Sequence, residues 1–276
     1  MFPREHFKER SILRRLHAAT MGVLLATALV PGVAAAQSTF THVHLRVPDT
    51  AAAAAWYHEL VGGELREGGP GPSIRFANGF IGTMPNDGGA AVGSRGGAID
   101  HFGVAVADVD AALDRARRLG AKVETAPPAD GVGAAGTIVE DPWGTRIELV
   151  EDAAHTGIHH VHLVARDAGE VRDWFLAVFG GEVAAARSGD DPHRILYGDF
   201  WVYVSKAGDA STAPSRGRAL DHMGFRIDAT LAAFEETIAA SGYPPYLVRP
   251  NPPGSDLMFF EGPAGIHFEI AERAAR

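Results

Sequence analysis

"THVHL" at residues 41–45 and "HHVHL" at residues 159–163 are nearly the same five residues, and each opens a run of alternating apolar positions. Strand side chains alternate between faces, so His42 and His44 share one face, His160 and His162 share another, and His159 points the opposite way. Paired histidines on an inner strand face are costly to bury unless something satisfies them. The pattern behind them, a histidine with apolar residues three and five places later, occurs four times in the chain. The copies start at His42, His101, His160 and His222, at intervals of 59, 59 and 62 residues. A period of this size marks an internal structural repeat.

Each histidine strand is followed by an aspartate-containing turn and a segment with helical spacing: "DTAAAAAWYHELVGG", "DVDAALDRARRLG", "DAGEVRDWFLAVFGG" and "DATLAAFEETIAASG". Aspartate is expected to cap each helix start and glycine to end it. Short alternating runs such as "SIRFAN", "GTIVED", "RIELV", "RILYGD", "WVYVS", "DLMFFEG" and "IHFEI" then read as strands. The unit is β-α-β-β-β, and four units predict an α+β chain of two domains joined near residues 151–157. A second level of repetition pairs units 1 and 2 with units 3 and 4. "SRGGAIDH" at 94–101 is echoed by "SRGRALDH" at 215–222, and "EDPWGTRIEL" at 140–149 by "EGPAGIHFEI" at 261–270. Glu148 and Glu269 sit at the same offset within these last two stretches.

Residues 1–36 read as an export signal. Lys8, Arg10, Arg14 and Arg15 precede an uncharged stretch at 18–36 that ends on Ala34 and Ala36, so the expected mature chain starts at Gln37 in the periplasm or outside the cell. Pro31 and the shortness of the apolar run argue against a membrane span. Sec and twin-arginine export both remain open. Removing the segment takes 5 of 25 basic and 2 of 34 acidic residues, leaving 20 against 32 and a charge of −12. That balance excludes nucleic acid and anionic membranes as natural partners and leaves a small molecule, with a homo-oligomer as an open alternative. With no cysteine in the chain, any metal must be held by histidine, carboxylate or water.

The units, their strand-opening histidines, and the "DPWGTRIEL" and "GPAGIHFEI" turns leading into a glutamate strand resemble the vicinal oxygen chelate superfamily. That superfamily includes glyoxalases, bleomycin-resistance proteins and extradiol dioxygenases. The resemblance covers residues 40 to 273 and implies two incomplete eight-stranded barrels, one over residues 37–152 and one over 153–276, each with a metal in its cavity. Carried over position by position, it implies His42, His101 and Glu148 as one ligand set and His160, His222 and Glu269 as the other.

Two imidazoles and one carboxylate suit Fe(II), with Mn(II) and Zn(II) as alternatives, and leave positions for a substrate with two adjacent oxygens. Glyoxalase-like members add a glutamate from the last strand of the odd unit, but "FIGTMP" and "WVYVS" carry no acid. This favours a dioxygenase-like enzyme for extradiol ring cleavage over a glyoxalase-like lyase or isomerase, or a non-catalytic binding or resistance protein. His44 and His162, about 6.6 Å further along their strands, are expected beyond direct ligation, in an acid-base role. Gly103 and Gly224 match them in the even units and should leave room on the opposite wall. His267 shares a face with Glu269, and Arg146 takes that place beside Glu148. His267, Tyr246 and Tyr203 are further candidates for the second cavity. Arg95, Arg216 and Trp143 read as turn and packing residues.

Overall fold

Each of the four α-helices among the described residues starts at a side-chain cap. Asp49, Asp108 and Asp167 accept hydrogen bonds from the backbone amides of Ala52, Ala111 and Glu170, opening α1 (Thr50–Val61), α2 (Val109–Arg118) and α3 (Ala168–Phe179). Each such cap contributes about 1 kcal/mol. The fourth helix, α4 (Leu231–Ala240), departs from the expectation: Thr230, two residues past Asp228, is its cap and accepts from Ala233. Glycines with positive φ, Gly62 and Gly180, end α1 and α3. The computed structural model describes residues 38–86, 91–124, 137–152, 157–184, 193–208, 212–250 and 256–272. The expected export segment lies outside the described residues. Among them no helix is long and apolar enough to cross a membrane.

The strands follow the unit plan. Unit 1 has β1 (Thr39–Val47), β2 (Glu64–Arg66), β3 (Ser73–Phe76) and β4 (Gly79–Pro85). Unit 2 has β5 (Ile99–Val106), β6 (Lys122–Val123), β7 (Thr137–Glu140) and β8 (Arg146–Glu151). Unit 3 has β9 (Gly157–Ala165), β10 (Glu182–Val183), β11 (His193–Tyr197) and β12 (Phe200–Lys206). Unit 4 has β13 (Leu220–Ile227), β14 (Leu247–Arg249), β15 (Leu257–Glu261) and β16 (His267–Glu272).

These strands form two open eight-stranded sheets, ordered β14-β15-β16-β13-β1-β4-β3-β2 and β10-β11-β12-β9-β5-β8-β7-β6. Unit 1 therefore shares a sheet with unit 4, and unit 2 with unit 3, in place of the expected tandem pairing of 1 with 2 and 3 with 4. At the centre of each sheet two histidine strands run antiparallel, β1 with β13 and β5 with β9, and each is flanked by the parallel last strand of its own unit.

Connection lengths account for the pairing. Five residues, 152–156, separate β8 from β9, whereas thirteen separate β4 from β5 and another thirteen separate β12 from β13. The end of β8 and the start of β9 lie on either side of β5, about 10 Å apart at ordinary strand spacing, and five residues reach up to about 17 Å. The long connections instead cross between sheets and run beside one another. Val92 bridges Arg218 and Gly97 bridges Ala213, and the Ala98 and Ala219 amides donate to the carbonyls of Ala213 and Val92 at 2.8 Å.

Tandem units still meet through their helices. Trp56 on α1 packs edge-on against Trp143 and donates to the Leu119 carbonyl, and Tyr57 donates to Asp141 Oδ2 at 2.7 Å. On the other side Phe179 of α3 stacks on Phe225 with ring centres 4.6 Å apart, and Phe175 packs against Phe268. Trp143 is thus a packing residue, as the sequence suggests. Buried aromatic surface of this kind supplies most of the driving force that holds helices to sheets. Phe40 of β1 and Phe200 of β12 stack across the two sheets.

Candidate metal centres

The cross-paired sheets regroup the expected ligands. His42 on β1 meets His222 on β13 and Glu269 on β16, while His160 on β9 meets His101 on β5 and Glu148 on β8. The expected sets, His42 with His101 and Glu148 and His160 with His222 and Glu269, are not formed, because their members lie on different sheets. All six residues are nonetheless used, three to each centre.

In the first centre His42 Nε2 lies 3.7 Å from Glu269 Oε1, and His222 Nε2 lies 3.4 Å from Glu269 Oε2. In the second, Glu148 Oε2 lies 3.4 Å from His101 Nε2 and 3.1 Å from His160 Nε2. The four imidazoles and Glu148 are buried and Glu269 is half-buried, and His42 Nε2, His101 Nε2 and His160 Nε2 have no hydrogen-bond partner among the described residues. Buried polar atoms are almost always paired, so three imidazole nitrogens facing a carboxylate from short range without bonding geometry fit a divalent cation.

Glycines admit the rings. His42 lies across from Gly224 and His160 across from Gly103. A Cβ on Gly224 would stand 2.1 Å from His42 Cε1, and one on Gly103 would stand 2.2 Å from His160 Cε1. The room expected from the two glycines is thus filled by the facing imidazole.

The other nitrogen of each ring is held. His222 Nδ1 bonds Asp221 Oδ1 at 2.6 Å, His101 Nδ1 bonds Asp100 Oδ1 at 2.8 Å, and His42 Nδ1 and Thr41 Oγ1 are 2.9 Å apart. His159 is half-buried, with its Nδ1 2.9 Å from that of His160. A carboxylate on Nδ1 fixes the tautomer and aims Nε2, which is the usual support of a metal-bound histidine. Asp100 and Asp221 carried no role in the sequence reading, although the repeated "IDH" and "LDH" placed each beside a ligand.

Asp221 is fully buried and also accepts from the Arg46 Nε, the Gly217 amide and His267 Nδ1. His267 Nε2 is 2.6 Å from the Tyr246 hydroxyl, and the Arg216 guanidinium lies over the Tyr246 ring. Asp221, His222 and His267 could by distance hold a cation, but their short contacts are hydrogen bonds to one carboxylate oxygen. His267 and Tyr246, expected as acid-base candidates, therefore stand behind His222 on its Nδ1 side. In the second centre Arg146 replaces His267 and pairs with Asp100 and Glu124, which Arg95 also contacts. The two centres thus differ in polarity, as the sequence suggests.

His44 and His162 lie nearer the donors than expected. One ring nitrogen of His44 is within 4.8 Å of donor atoms of His42, His222 and Glu269, and one of His162 is similarly close to His101 and His160. Strand rise separates the backbones, but the rings reach back toward a common point.

Burial dominates the titration of three rings, lowering His42 to about 4 and His44 and His162 well below the ordinary value. These three are neutral at physiological pH, as ligation requires. Burial also disfavours charge on His222, but Asp221 and Glu269 outweigh it and raise the ring to about 9; Asp100 and Glu148 likewise raise His101. Burial opposes ionisation of Glu148 and Glu269, yet the adjacent imidazoles hold both below the usual carboxylate range.

Residues 39–149 match the family model described as the Glyoxalase/Bleomycin resistance protein/Dioxygenase superfamily. The matched stretch is units 1 and 2, and it is similar to the superfamily that the sequence resembles. A probable lactoylglutathione lyase, chloroplastic, from Arabidopsis thaliana is 31% identical over 163 residues, which are 55% of this chain and 46% of that protein. The chain thus matches less than half of that relative's length. Glyoxalase I from Zea mays superposes with a TM-score of 0.67 at 18% identity, covering 85% of this chain and 92% of the maize chain. A putative dioxygenase from Bacillus subtilis subsp. subtilis str. 168 superposes with a TM-score of 0.65 at 17% identity, covering 87% and 86%. At such identities the likeness is one of fold.

A cavity of about 440 Å³ opens beside the first centre, lined among others by Thr41, Arg75, Asn78, Phe80, Phe200 and Arg226. Phe80 stacks on the His42 ring, so this wall of the superfamily fold touches a ligand directly.

Proposed function

We propose that the protein is a metal-dependent lyase or isomerase of the glyoxalase kind, acting on a small substrate that presents two adjacent oxygens. The observation that carries this is the convergence, in each sheet, of two cross-strand imidazoles on a carboxylate, with buried and unpartnered nitrogens on His42, His101 and His160. A divalent ion held there would supply Lewis-acid chemistry for the chelating oxygens. The chain's residues do the rest: His42, His222 and Glu269, or His101, His160 and Glu148, would hold the ion. Asp221 and Asp100 aim their imidazoles, and the burial of both clusters keeps bulk water away.

The sequence favoured ring-cleaving dioxygenase chemistry. Two findings support the lyase reading over it. The relative that matches at 31% identity is named a lactoylglutathione lyase. His267 and Tyr246, the further candidates for acid-base work beside the metal, are held away from it: His267 bonds Asp221 behind His222, and Tyr246 bonds His267. Export rests on the character of residues 1–36 and places the activity in the periplasm or outside the cell.

The test is a pair of assays on protein loaded with each first-row divalent ion in turn. Loss of the hemithioacetal formed from an α-oxoaldehyde and a thiol, with no oxygen uptake on catechols, is the expected result. Oxygen uptake on catechols without hemithioacetal turnover would overturn the lyase reading in favour of the dioxygenase.

A further inference from the structure

In every unit the residue two places after the strand-opening histidine stands opposite one residue of the unit's last strand. Gly103 pairs with Glu148 and Gly224 with Glu269, whereas His44 pairs with Gly82 and His162 with Tyr203. Where the last strand supplies a carboxylate, the first strand has glycine. Where the last strand lacks an acid, the first strand supplies an imidazole. The donor has moved across one strand spacing and kept its register.

Steric fit supports the exchange. A Cβ on Gly82 would lie 2.4 Å from both Cδ2 and Nε2 of His44, so the imidazole fills the volume that a last-strand side chain would need. His44 Nδ1 lies 2.9 Å from His222 Nε2, the donor atom that faces Glu269. In the other centre His162 Nε2 is bonded to the Ser205 hydroxyl at 2.7 Å, while its Nδ1 is buried with no hydrogen-bond partner among the described residues. One ring nitrogen held by a hydroxyl and the other buried without a partner beside two further imidazoles is the arrangement of a supported metal ligand.

We propose that His44 and His162 are the fourth metal ligands of the two centres, taking the place of the carboxylate that the last strands of units 1 and 3 lack. This rests on the metal-dependent reading above and gives each centre three imidazoles and one carboxylate. With one carboxylate in place of two, the ion keeps a net positive charge after ligation, which favours an anionic substrate or intermediate. The nitrogen-rich donor set suits zinc, iron, nickel or copper better than manganese or magnesium.

The test uses the full chain, stripped of metal and titrated with Co(II) and Mn(II) by calorimetry, and then loaded with Cu(II) for pulsed paramagnetic resonance, which counts bound imidazoles. The wild type is expected to show three imidazoles per ion and to prefer Co(II) to Mn(II). His44→Ala should weaken one centre and His162→Ala the other, each by at least about 10-fold, with the imidazole count of that centre falling to two. Gly82→Glu alone should disrupt the first centre by displacing His44, whereas His44→Ala combined with Gly82→Glu should bind more tightly than His44→Ala by restoring a fourth donor. Unchanged affinity and imidazole count in both alanine variants would overturn the proposal and leave the metal reading intact. A double variant that binds no better than His44→Ala would overturn the exchange of positions. A wild-type chain that takes up no metal would instead overturn the proposed function itself.

Discussion

Replacing Gly224 by alanine should empty one metal centre and spare the other. The new Cβ would stand 2.1 Å from His42 Cε1, 2.3 Å from His42 Nδ1 and 2.7 Å from Thr41 Oγ1. Bringing the first of these to an ordinary contact of 3.4 Å moves the ring by 1.3 Å. Phe80, stacked on the ring from β4 with centres 4.5 Å apart, limits that movement. A displacement of this size removes Nε2 from the donor set, so metal affinity at the first centre should fall about 100-fold or more. Overpacking of this kind costs about 1–3 kcal/mol, and relief of glycine's entropy in a strand returns about 0.5–1 kcal/mol. The net loss, about 2.5 kcal/mol at most, lowers Tm by up to roughly 10 °C in a chain of this size. Calorimetric melting and elemental analysis read both effects: a folded variant with one ion per chain, against two for the wild type. Two ions bound with wild-type affinity would refute the placement of His42 against Gly224.

Paired substitutions test the regrouping of ligands. His42→Ala with Glu269→Gln should leave one ion per chain, and His42→Ala with Glu148→Gln should leave none, as counted by elemental analysis; the reverse pattern would restore the tandem sets. Asp221→Asn removes the charge on His222 Nδ1 and should weaken the first centre by about 10–100-fold while the second titrates normally. Because His222 is raised to about 9 in the metal-free protein, it carries a proton below that pH, which the metal must displace. Affinity at the first centre should therefore rise as pH climbs toward 9, and calorimetry in buffers of different ionisation enthalpy should detect about one proton released. A half-chain of residues 37–152 lacks the partner unit for either sheet, so size-exclusion with light scattering should find it as a dimer or aggregate; a metal-binding monomer would show that tandem units can pair within one chain.

The repeat unit was legible because its signals are local. Alternation along "THVHL" and "HHVHL", a capping aspartate and a closing glycine each act within a few residues, and three of the four caps form as read. At α4 two capping residues competed, and Thr230 prevailed over Asp228. The pairing of units was not legible in the same way. The echoes between units 1 and 3, and between 2 and 4, make every unit interface nearly equivalent, so hydrogen bonding and burial are satisfied by either pairing. Connection length breaks the tie. The sequence held that signal in the short joint at 152–156, but the joint was read as a domain boundary when it is a connection within one sheet.

The same ambiguity explains why the six candidate ligands can be picked out one by one while their grouping cannot. His42 and His160 occupy equivalent positions in units 1 and 3, and Glu148 and Glu269 occupy equivalent positions in units 2 and 4, so composition alone cannot say which imidazole faces which carboxylate. The odd and even units have diverged in a complementary manner: an imidazole opposite a small or aromatic residue in one, a glycine opposite a carboxylate in the other. Neither kind of unit can build a centre by itself. An odd unit brings no carboxylate to a centre, and an even unit brings one imidazole to it, since His267 of unit 4 bonds Asp221 behind His222. Cross-pairing an odd with an even unit is what completes each donor set, and it does so twice, with the two long connections bridging each other where they cross between sheets.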